Sequence, residues 1–152
     1  MQAVIDILIM TAAFFFMEFV AWSAHKYVMH GAFWFIHEDH HVMRKGFFQK
    51  NDLFVALFAI PSWLFMMFGI MDGCDYKMWI GIGFTIYGLS YFFVHEVVIH
   101  NRFNLFGKVQ NPYLRGLIKA HAAHHKHKGP ENGECFGMLI VLGSRSPKNL
   151  PL

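Results

Sequence analysis

Three long apolar runs dominate this sequence and indicate a chain that crosses a lipid bilayer. They cover residues 3–24, 53–71 and 78–99, and the second run contains no charged residue. About 20 residues of α-helix span the hydrocarbon core, so each run predicts one membrane helix. The first run lacks a basic start and continues directly into His25, which favours a retained helix over a signal peptide.

The histidines follow a spacing that occurs twice along the chain. Two histidines five residues apart are followed by a triplet with the spacing HxxHH, and the second half of the chain repeats this order. The pattern takes in all of the 11 histidines except His127, namely His25, His30, His37, His40, His41, His95, His100, His121, His124 and His125. Positions i, i+3 and i+4 share one face of an α-helix, so each triplet can direct three imidazoles at one point.

The HxxxxH pairs need a different explanation from the triplets. On a regular α-helix a spacing of five leaves two side chains about 140° apart, so the rings of a pair do not share a face. Either the helix ends or bulges between them, or each pair serves two different ions. Gly31 follows His30 and favours a helix end for the first pair. For His95 and His100 the alternatives stay open.

Ten imidazoles are enough to hold two transition-metal ions and leave a position for oxygen. A structural zinc site would need only four closed ligands. Imidazole suits zinc, copper, iron and nickel, so the donor type alone does not select the metal. The ten histidines are therefore predicted to be both metal ligands and catalytic residues. Cys74 and Cys135 have no metal-binding spacing and are expected to be unreacted thiols.

The basic residues predict an orientation for the chain. Of the 13 lysines and arginines, only Lys77 lies in the short loop between the second and third apolar runs. The positive-inside rule places that loop and the N-terminus outside, and every histidine cluster on the cytoplasmic side. An interfacial helix is predicted to begin at Asn111 and Pro112. The net charge of +3 gives no sign of a nucleic-acid partner.

The predicted fold is a single all-α membrane domain over residues 1–152. It has three to four membrane helices, and further interfacial or cytosolic helices complete the enclosure of a histidine-rich dimetal site. Membrane lipid is its expected surrounding, because 55% of the residues are hydrophobic.

Four carboxylates lie close to the predicted ligands. Glu18 precedes His25 by two helical turns inside an apolar run, where a carboxylate normally has a partner. It is either an outer hydrogen-bond partner of a metal-bound histidine or a structural group between helices. Glu38, Asp39 and Glu96 are sequence neighbours of histidines. Each of them either accepts the spare N–H of an imidazole or is an ordinary solvated side chain.

At these residues the chain resembles the bacterial β-carotene 3-hydroxylases, within the membrane fatty acid hydroxylase/sterol desaturase superfamily. The histidine pattern is specific to the superfamily, and the contexts HKYVMHG (25–31) and RKGFFQKNDL (44–53) narrow the resemblance to carotenoid hydroxylases. It extends over nearly the whole chain and includes Met17-Glu18, Tyr87-Gly88-Leu89 through Arg102, and Gly133-Glu134-Cys135. Two stretches depart from the usual pattern: HEVVIH (95–100) replaces a segment that contains Asp-Gly, and Glu38-Asp39 is unusually acidic.

The resemblance implies an O₂-dependent di-iron monooxygenase that hydroxylates carbon 3 of the β-ionone ring. β-Carotene would be converted to β-cryptoxanthin and zeaxanthin. The cofactors would be two iron ions, for which another divalent metal such as zinc can substitute in a purified protein. Electrons would come from ferredoxin and its reductase, since the sequence has no dinucleotide-binding fingerprint. The expected location is the bacterial inner membrane.

A carotenoid dissolved in lipid needs an apolar channel from the bilayer to the metal site. Five aromatic residues lie at the expected depth for the walls of such a channel, although aromatics there are more often plain packing: Phe33, Trp34, Phe35, Tyr91 and Phe92. The nearest alternative activities are fatty acid or sterol hydroxylation or desaturation and carotenoid ketolation. A histidine-rich metal transporter or sensor would instead place its ligands along a mid-membrane path or in a flexible loop. A bis-histidine haem protein would need facing pairs within the helices.

Overall fold

The computed structural model describes residues 1–42, 48–126, 128–129 and 136–140. The elements in chain order are α1 (Gln2–Ser23), a first π segment (Ala24–Ala32), α2 (Trp34–His41), a 3-10 turn (Lys50–Asp52), α3 (Leu53–Met71), α4 (Tyr76–Phe92), a second π segment (Phe93–Ile99) and α5 (Pro112–His124). The described ranges contain no β-strand. The predicted all-α fold is therefore confirmed.

In the described part of the chain, three helices are long and apolar enough to cross a membrane, as the apolar runs predict. Each consists of an α-helix and an adjoining π or 3-10 segment, and their ranges are Gln2–Ala32, Lys50–Met71 and Tyr76–Ile99. Large apolar side chains on their outer surfaces are exposed, among them Phe16, Leu57 and Ile86. A contiguous apolar surface of this kind is rare on a soluble monomer, whereas lipid tails cover it in a bilayer.

Two glycines of α4 let it pack closely against the other membrane-length helices. A Cβ on Gly81 of α4 would lie 2.8 Å from the carbonyl oxygen of Ser62 in α3. A Cβ on Gly83 would lie 2.5 Å from the carbonyl oxygen of Met10 in α1. Neither position has room for a side chain, so the glycines let α4 approach both neighbours, as small residues do in membrane helix pairs.

The helix predicted after Asn111 and Pro112 is α5. Asn111 Oδ1 accepts hydrogen bonds from the N–H groups of Tyr113 at 2.9 Å and Leu114 at 3.1 Å. This side-chain cap satisfies N–H groups that have no partner within the helix. The last turns of α5 then carry the second HxxHH triplet to the ends of the membrane-length helices.

The π segments bring the members of each HxxxxH pair to the same side. A π-helix has hydrogen bonds between residues five apart. The N–H of Phe33 accordingly donates to the carbonyl oxygen of Val28 at 2.9 Å, and the N–H of His100 donates to that of His95 at 3.0 Å. Of the alternatives for the pairs, a bulged helix is the one observed at both, so the helix end favoured for the first pair does not fall between His25 and His30. The backbone of the first segment also leaves helical geometry at Gly31, with φ −106° and ψ −115°.

Candidate metal centre

Eight histidines form two groups of four imidazoles. The first group is His25, His30, His37 and His124, and the second is His40, His95, His100 and His121. Within each group, one ring nitrogen from every residue lies within 4.8 Å of the others. All eight are buried except His100, which is half-buried. Each group therefore has a donor set and a spacing that suit a transition-metal ion.

Each HxxHH triplet is divided between the two groups, which corrects the prediction that a triplet converges on one point. In α2, His37 belongs to the first group and His40 to the second; in α5, His124 belongs to the first and His121 to the second. Residues three apart differ by about 60° around an α-helix, which is enough for one helix to present a ligand to each group. Each HxxxxH pair stays within one group.

His41 and His125 lie where the two groups meet. Their rings stack with centroids 4.4 Å apart and an interplanar angle of 16°. His41 Nε2 is 3.2 Å from His37 Nε2 of the first group, and His125 Nε2 is 2.7 Å from His121 Nε2 of the second. The structure thus brings all ten histidines of the doubled pattern into one cluster. His127, which the pattern leaves out, lies outside the described residues.

Backbone carbonyl groups fix the tautomers of two histidines in the first group. His25 Nδ1 donates to the carbonyl oxygen of Phe136 at 3.0 Å, and His30 Nδ1 donates to that of Lys128 at 3.1 Å. Because a carbonyl oxygen only accepts, Nδ1 carries the hydrogen and Nε2 has a lone pair in each neutral ring. These lone pairs point into the group, where His30 Nε2 is 3.0 Å from His124 Nε2.

The arrangement of these nitrogen atoms fits a bound cation. His25 Nε2 lies 3.2 Å from His37 Nε2, and Nδ1 of His37 donates to Asn51 Oδ1 at 2.7 Å. Two unprotonated nitrogens that face each other repel, whereas a metal ion between them can accept both lone pairs. His40 Nε2 is buried without a hydrogen-bond partner among the described residues, which is costly unless the nitrogen binds a metal. The residues therefore fit a pair of divalent ions.

Burial keeps six of the histidines outside the membrane-length helices neutral. Desolvation is the largest cause, and it lowers the pKa to about 3 for His37, His41, His100 and His125. The same cause lowers the pKa of His40 and His121 well below the usual value for histidine. Neutral imidazole is the form that binds metal, so these rings are available as ligands at physiological pH.

Glu96 holds His95 from outside the second group. Its Oε1 accepts from His95 Nδ1 at 2.7 Å, and its Oε2 accepts from the guanidinium of Arg102 at 3.0 Å. Arg102 also donates to both carboxylate oxygens of Asp52, at 2.9 and 2.8 Å. This network joins the second π segment to the start of α3 and orients His95, as carboxylates do for metal-bound histidines.

Asp39 influences the first group through the backbone. Its carboxylate accepts from the N–H of Lys50 at 2.6 Å and from the N–H of Asn51 at 3.3 Å. It thereby holds the 3-10 turn from which the Asn51 side chain reaches His37. The sequence predicts only that Asn51 lies at the start of a helix. Its contact with His37 could not be predicted from the histidine pattern. Glu38, the neighbouring carboxylate, is exposed.

We expect Asn51→Ala to weaken metal binding in the first group by about 10- to 100-fold, the usual effect of losing an outer partner of a ligand. Without the Asn51 oxygen, His37 Nδ1 loses the acceptor that fixes the ring and its tautomer. Metal retained after dialysis against increasing chelator concentrations measures the effect. Lys50→Ala is the matched control in the same turn, because its backbone N–H to Asp39 is kept. Equal retention in both variants would contradict this role for Asn51.

Glu18 is bound by groups from two distant parts of the chain. Its Oε2 accepts from the hydroxyl of Tyr87 at 2.7 Å. Its Oε1 accepts from three successive backbone N–H groups, at residues 138–140. In the described part of the chain these bonds connect structural elements and none of them goes to a histidine. Of the two alternatives for Glu18, the structural group between elements is therefore the one observed.

An apolar cavity of about 470 Å³ leads from the membrane-length helices to the histidines. α1, α3 and α4 supply most of its wall, with apolar side chains such as Met17, Phe58 and Phe84. Its polar lining residues include His37 and His95. The cavity thus reaches one histidine of each group.

Only part of the predicted aromatic channel lies on this wall. Tyr91 and Phe92 line the cavity, and the ring of Tyr91 packs on His95 with centroids 5.2 Å apart. Among the described residues, the wall does not include the other three aromatics of that prediction, Phe33, Trp34 and Phe35. Trp34 packs instead against His30, at 5.3 Å between ring centroids. Phe33 and Phe35, at the start of α2, are exposed on the surface of the protein.

Known proteins with similar sequences include several hydroxylases. The beta-carotene hydroxylase of Pantoea ananas is 42% identical over 82% of this chain and 71% of that protein. The enzyme of the same name from Pseudescherichia vulneris is 40% identical over 88% of this chain and 74% of that protein. A third, from Paracoccus sp. (strain PC1), is 33% identical over 88% of this chain and 83% of that protein. No solved structure matches the chain.

A family model gives the same result. The model of the fatty acid hydroxylases matches residues 10–143. This range includes all ten histidines of the doubled pattern, both π segments and the residues around the cavity. It also includes residues 44–47 and 133–135, which carry part of the resemblance and lie outside the described residues. The chain therefore belongs to the fatty acid hydroxylase family, as its histidine pattern predicts.

Proposed function

We propose that this chain hydroxylates carbon 3 of the β-ionone ring of a carotene, converting β-carotene to β-cryptoxanthin and zeaxanthin. The observation that carries the proposal is the cavity, which is apolar along the membrane-length helices and reaches His37 of one group and His95 of the other. A carotene is a hydrocarbon dissolved in the bilayer, so it can approach the histidines by this route without entering water. The relatives named beta-carotene hydroxylase support the same substrate class.

The two histidine groups are proposed to hold one iron ion each. His41 would complete the ligands of the first group and His125 those of the second, because each lies beside that group. Iron bound there would supply the activation of O₂, which amino-acid side chains do not perform by themselves. Imidazoles are neutral, so the ligands leave the positive charge of the ions uncompensated, unlike the carboxylate-rich sites of ferritin-like bundles. Another divalent metal such as zinc can occupy the same donors in a purified protein.

The chain's own residues bind and orient the substrate. Apolar side chains of α1, α3 and α4 enclose it and exclude water from the reacting end. Tyr91 packs against His95 and forms the wall beside the second group. A ring carbon held there lies next to both histidine groups, and such positioning supplies much of the rate enhancement for a bound reactant.

The reaction needs electrons from outside the chain. A C–H bond, O₂, two electrons and two protons give a C–OH group and one molecule of water. We propose that a ferredoxin-type carrier and its reductase supply the electrons on the cytoplasmic side of the bacterial inner membrane. The distribution of lysine and arginine supports this side for the histidine cluster.

Expression in a host that accumulates β-carotene tests the proposal. We expect chromatography of the pigments to show β-cryptoxanthin first and zeaxanthin as the final product. Products with a keto group at carbon 4 would indicate a ketolase on the same site. Unchanged β-carotene, in cells that contain the folded and iron-loaded protein, would contradict a carotenoid substrate.

A fatty acid or sterol is the second candidate substrate, and a hydroxylase or desaturase would act on it. The description of the matching family, fatty acid hydroxylase, favours it, and an acyl chain is also compatible with an apolar cavity. Analysis of the host's lipids in the same experiment separates the two candidates. New hydroxylated or unsaturated lipids without carotenoid products would support the second candidate.

A further inference from the structure

A buried carboxylate in a membrane-length helix fastens a distant segment of the chain. Glu18 of α1 is 8% exposed. Its Oε1 accepts from the N–H groups of Met138, Leu139 and Ile140 at 3.1, 3.0 and 2.8 Å, and its Oε2 accepts from Tyr87. Successive backbone N–H groups that converge on one oxygen form an anion-binding nest. The carboxylate therefore holds residues 138–140 in one conformation.

The start of the same segment covers the first histidine group. The carbonyl oxygen of Phe136 accepts from His25 Nδ1 at 3.0 Å. Its buried ring lies 5.5, 5.2 and 5.1 Å from the rings of His25, His30 and His124. Phe136 thus fixes the tautomer of one histidine and closes one side of the group against water.

Gly137 connects these two contacts and has no room for a side chain. A Cβ there would lie 2.8 Å from the carbonyl oxygen of Ile140 and 3.1 Å from Glu18 Oε1. The first of these distances is too short for real carbon and oxygen atoms, and the oxygen belongs to the backbone. The segment can therefore cover the histidines only if residue 137 is glycine and the Glu18 carboxylate accepts the three N–H groups.

We propose that Glu18 is a positioning residue for metal in the first group, acting through Phe136. The inference rests on the proposed function only in requiring that the two groups bind metal. The second group has its own outer support, since Glu96 holds His95 and is itself held by Arg102. Loss of the contact at Glu18 should therefore release metal from the first group and leave the second group filled.

Iron analysis of the full-length protein after dialysis against a chelator tests this inference. The unaltered protein should retain two ions per chain, whereas Glu18→Leu and Gly137→Ala should each retain one. The two substitutions break the same contact from opposite sides. If the loss of the buried carboxylate prevents Glu18→Leu from folding, Gly137→Ala decides alone. Glu18→Gln keeps an oxygen that can accept the three N–H groups, so it should restore retention to nearly two.

Gly107→Ala is the matched control, because a Cβ at Gly107 meets nothing within 4 Å. It should retain two ions. Two retained ions in both Glu18→Leu and Gly137→Ala would overturn the inference and leave the proposed function intact. Loss of both ions from folded Gly137→Ala would also overturn it, because a general packing defect would empty the two groups together. An unaltered protein that retains no ion would contradict the proposed function itself.

Discussion

Replacing His121 by alanine should lower product formation by more than about 100-fold, since loss of a ligand should exceed the usual cost of losing its outer partner. His121 Nε2 lies 2.9 Å from His100 Nε2 and 2.7 Å from His125 Nε2. His121, on α5, therefore contacts both a ligand of the second group, His100, and His125, which lies where the two groups meet. Alanine removes that donor from a buried position and leaves the second group with three of its four ligands.

Chromatography of pigments and iron analysis of the same preparations measure the effect of His121→Ala. We expect β-carotene to remain unconverted and the iron content to fall from two ions per chain to one. His127→Ala is the control, because His127 is of the same type and lies close in sequence but falls outside the doubled pattern. Zeaxanthin formation by His121→Ala at an ordinary rate would contradict the assignment of His121 as a ligand.

The division of each triplet means that α2 and α5 each supply a ligand to both groups. α2 contributes His37 to the first group and His40 to the second, and α5 contributes His124 and His121 in the same way. A displacement of either helix therefore changes the ligands of both groups. The two pairs on the π segments each belong to a single group. Displacement of one π segment should accordingly affect one group more than the other.

The all-α fold and the membership of the histidine cluster could be predicted because both depend on local patterns. Apolar runs of sufficient length leave few alternatives to a membrane helix. A histidine spacing that occurs twice indicates that these residues belong to one site. The grouping could not be predicted in the same way. The two histidines of an HxxxxH pair lie on one side of the helix only if the helix takes π geometry. The residue types in HKYVMH (25–30) and HEVVIH (95–100) do not predict that geometry.

The outer partners of the histidines were harder to predict for a further reason. Two of them, at Phe136 and Lys128, are backbone carbonyl oxygens, which every residue has and no sequence motif can mark. They also lie 111 and 98 positions from their histidines. Glu96 was easier to anticipate, because it directly follows the histidine that it holds. A carboxylate next to a ligand is a local signal, whereas a carbonyl brought there by tertiary folding is not.

A bulky side chain in the cavity should keep the substrate from the histidines. Gly88 of α4 lines the cavity, and a Cβ at this position meets nothing within 4 Å. Gly88 also precedes His95 by about two helical turns, or about 10 Å. A tryptophan at Gly88 would place an indole in the route of the substrate without touching a ligand. We therefore expect Gly88→Trp to slow hydroxylation strongly and to leave metal binding unchanged.

The expected fall in kcat/KM for Gly88→Trp is about 100-fold, the order of effect that follows when a reacting group is held out of position. The iron content should stay at two ions per chain, which separates this variant from His121→Ala. Gly88→Ala should retain nearly full activity, because its Cβ enters open space. Ile86→Trp carries the same indole on the exposed surface of α4, away from the cavity wall, and should also remain active. Full activity of Gly88→Trp would show that the substrate reaches the histidines by another path, whereas loss of iron would mean that the cavity wall and the metal groups are not independent.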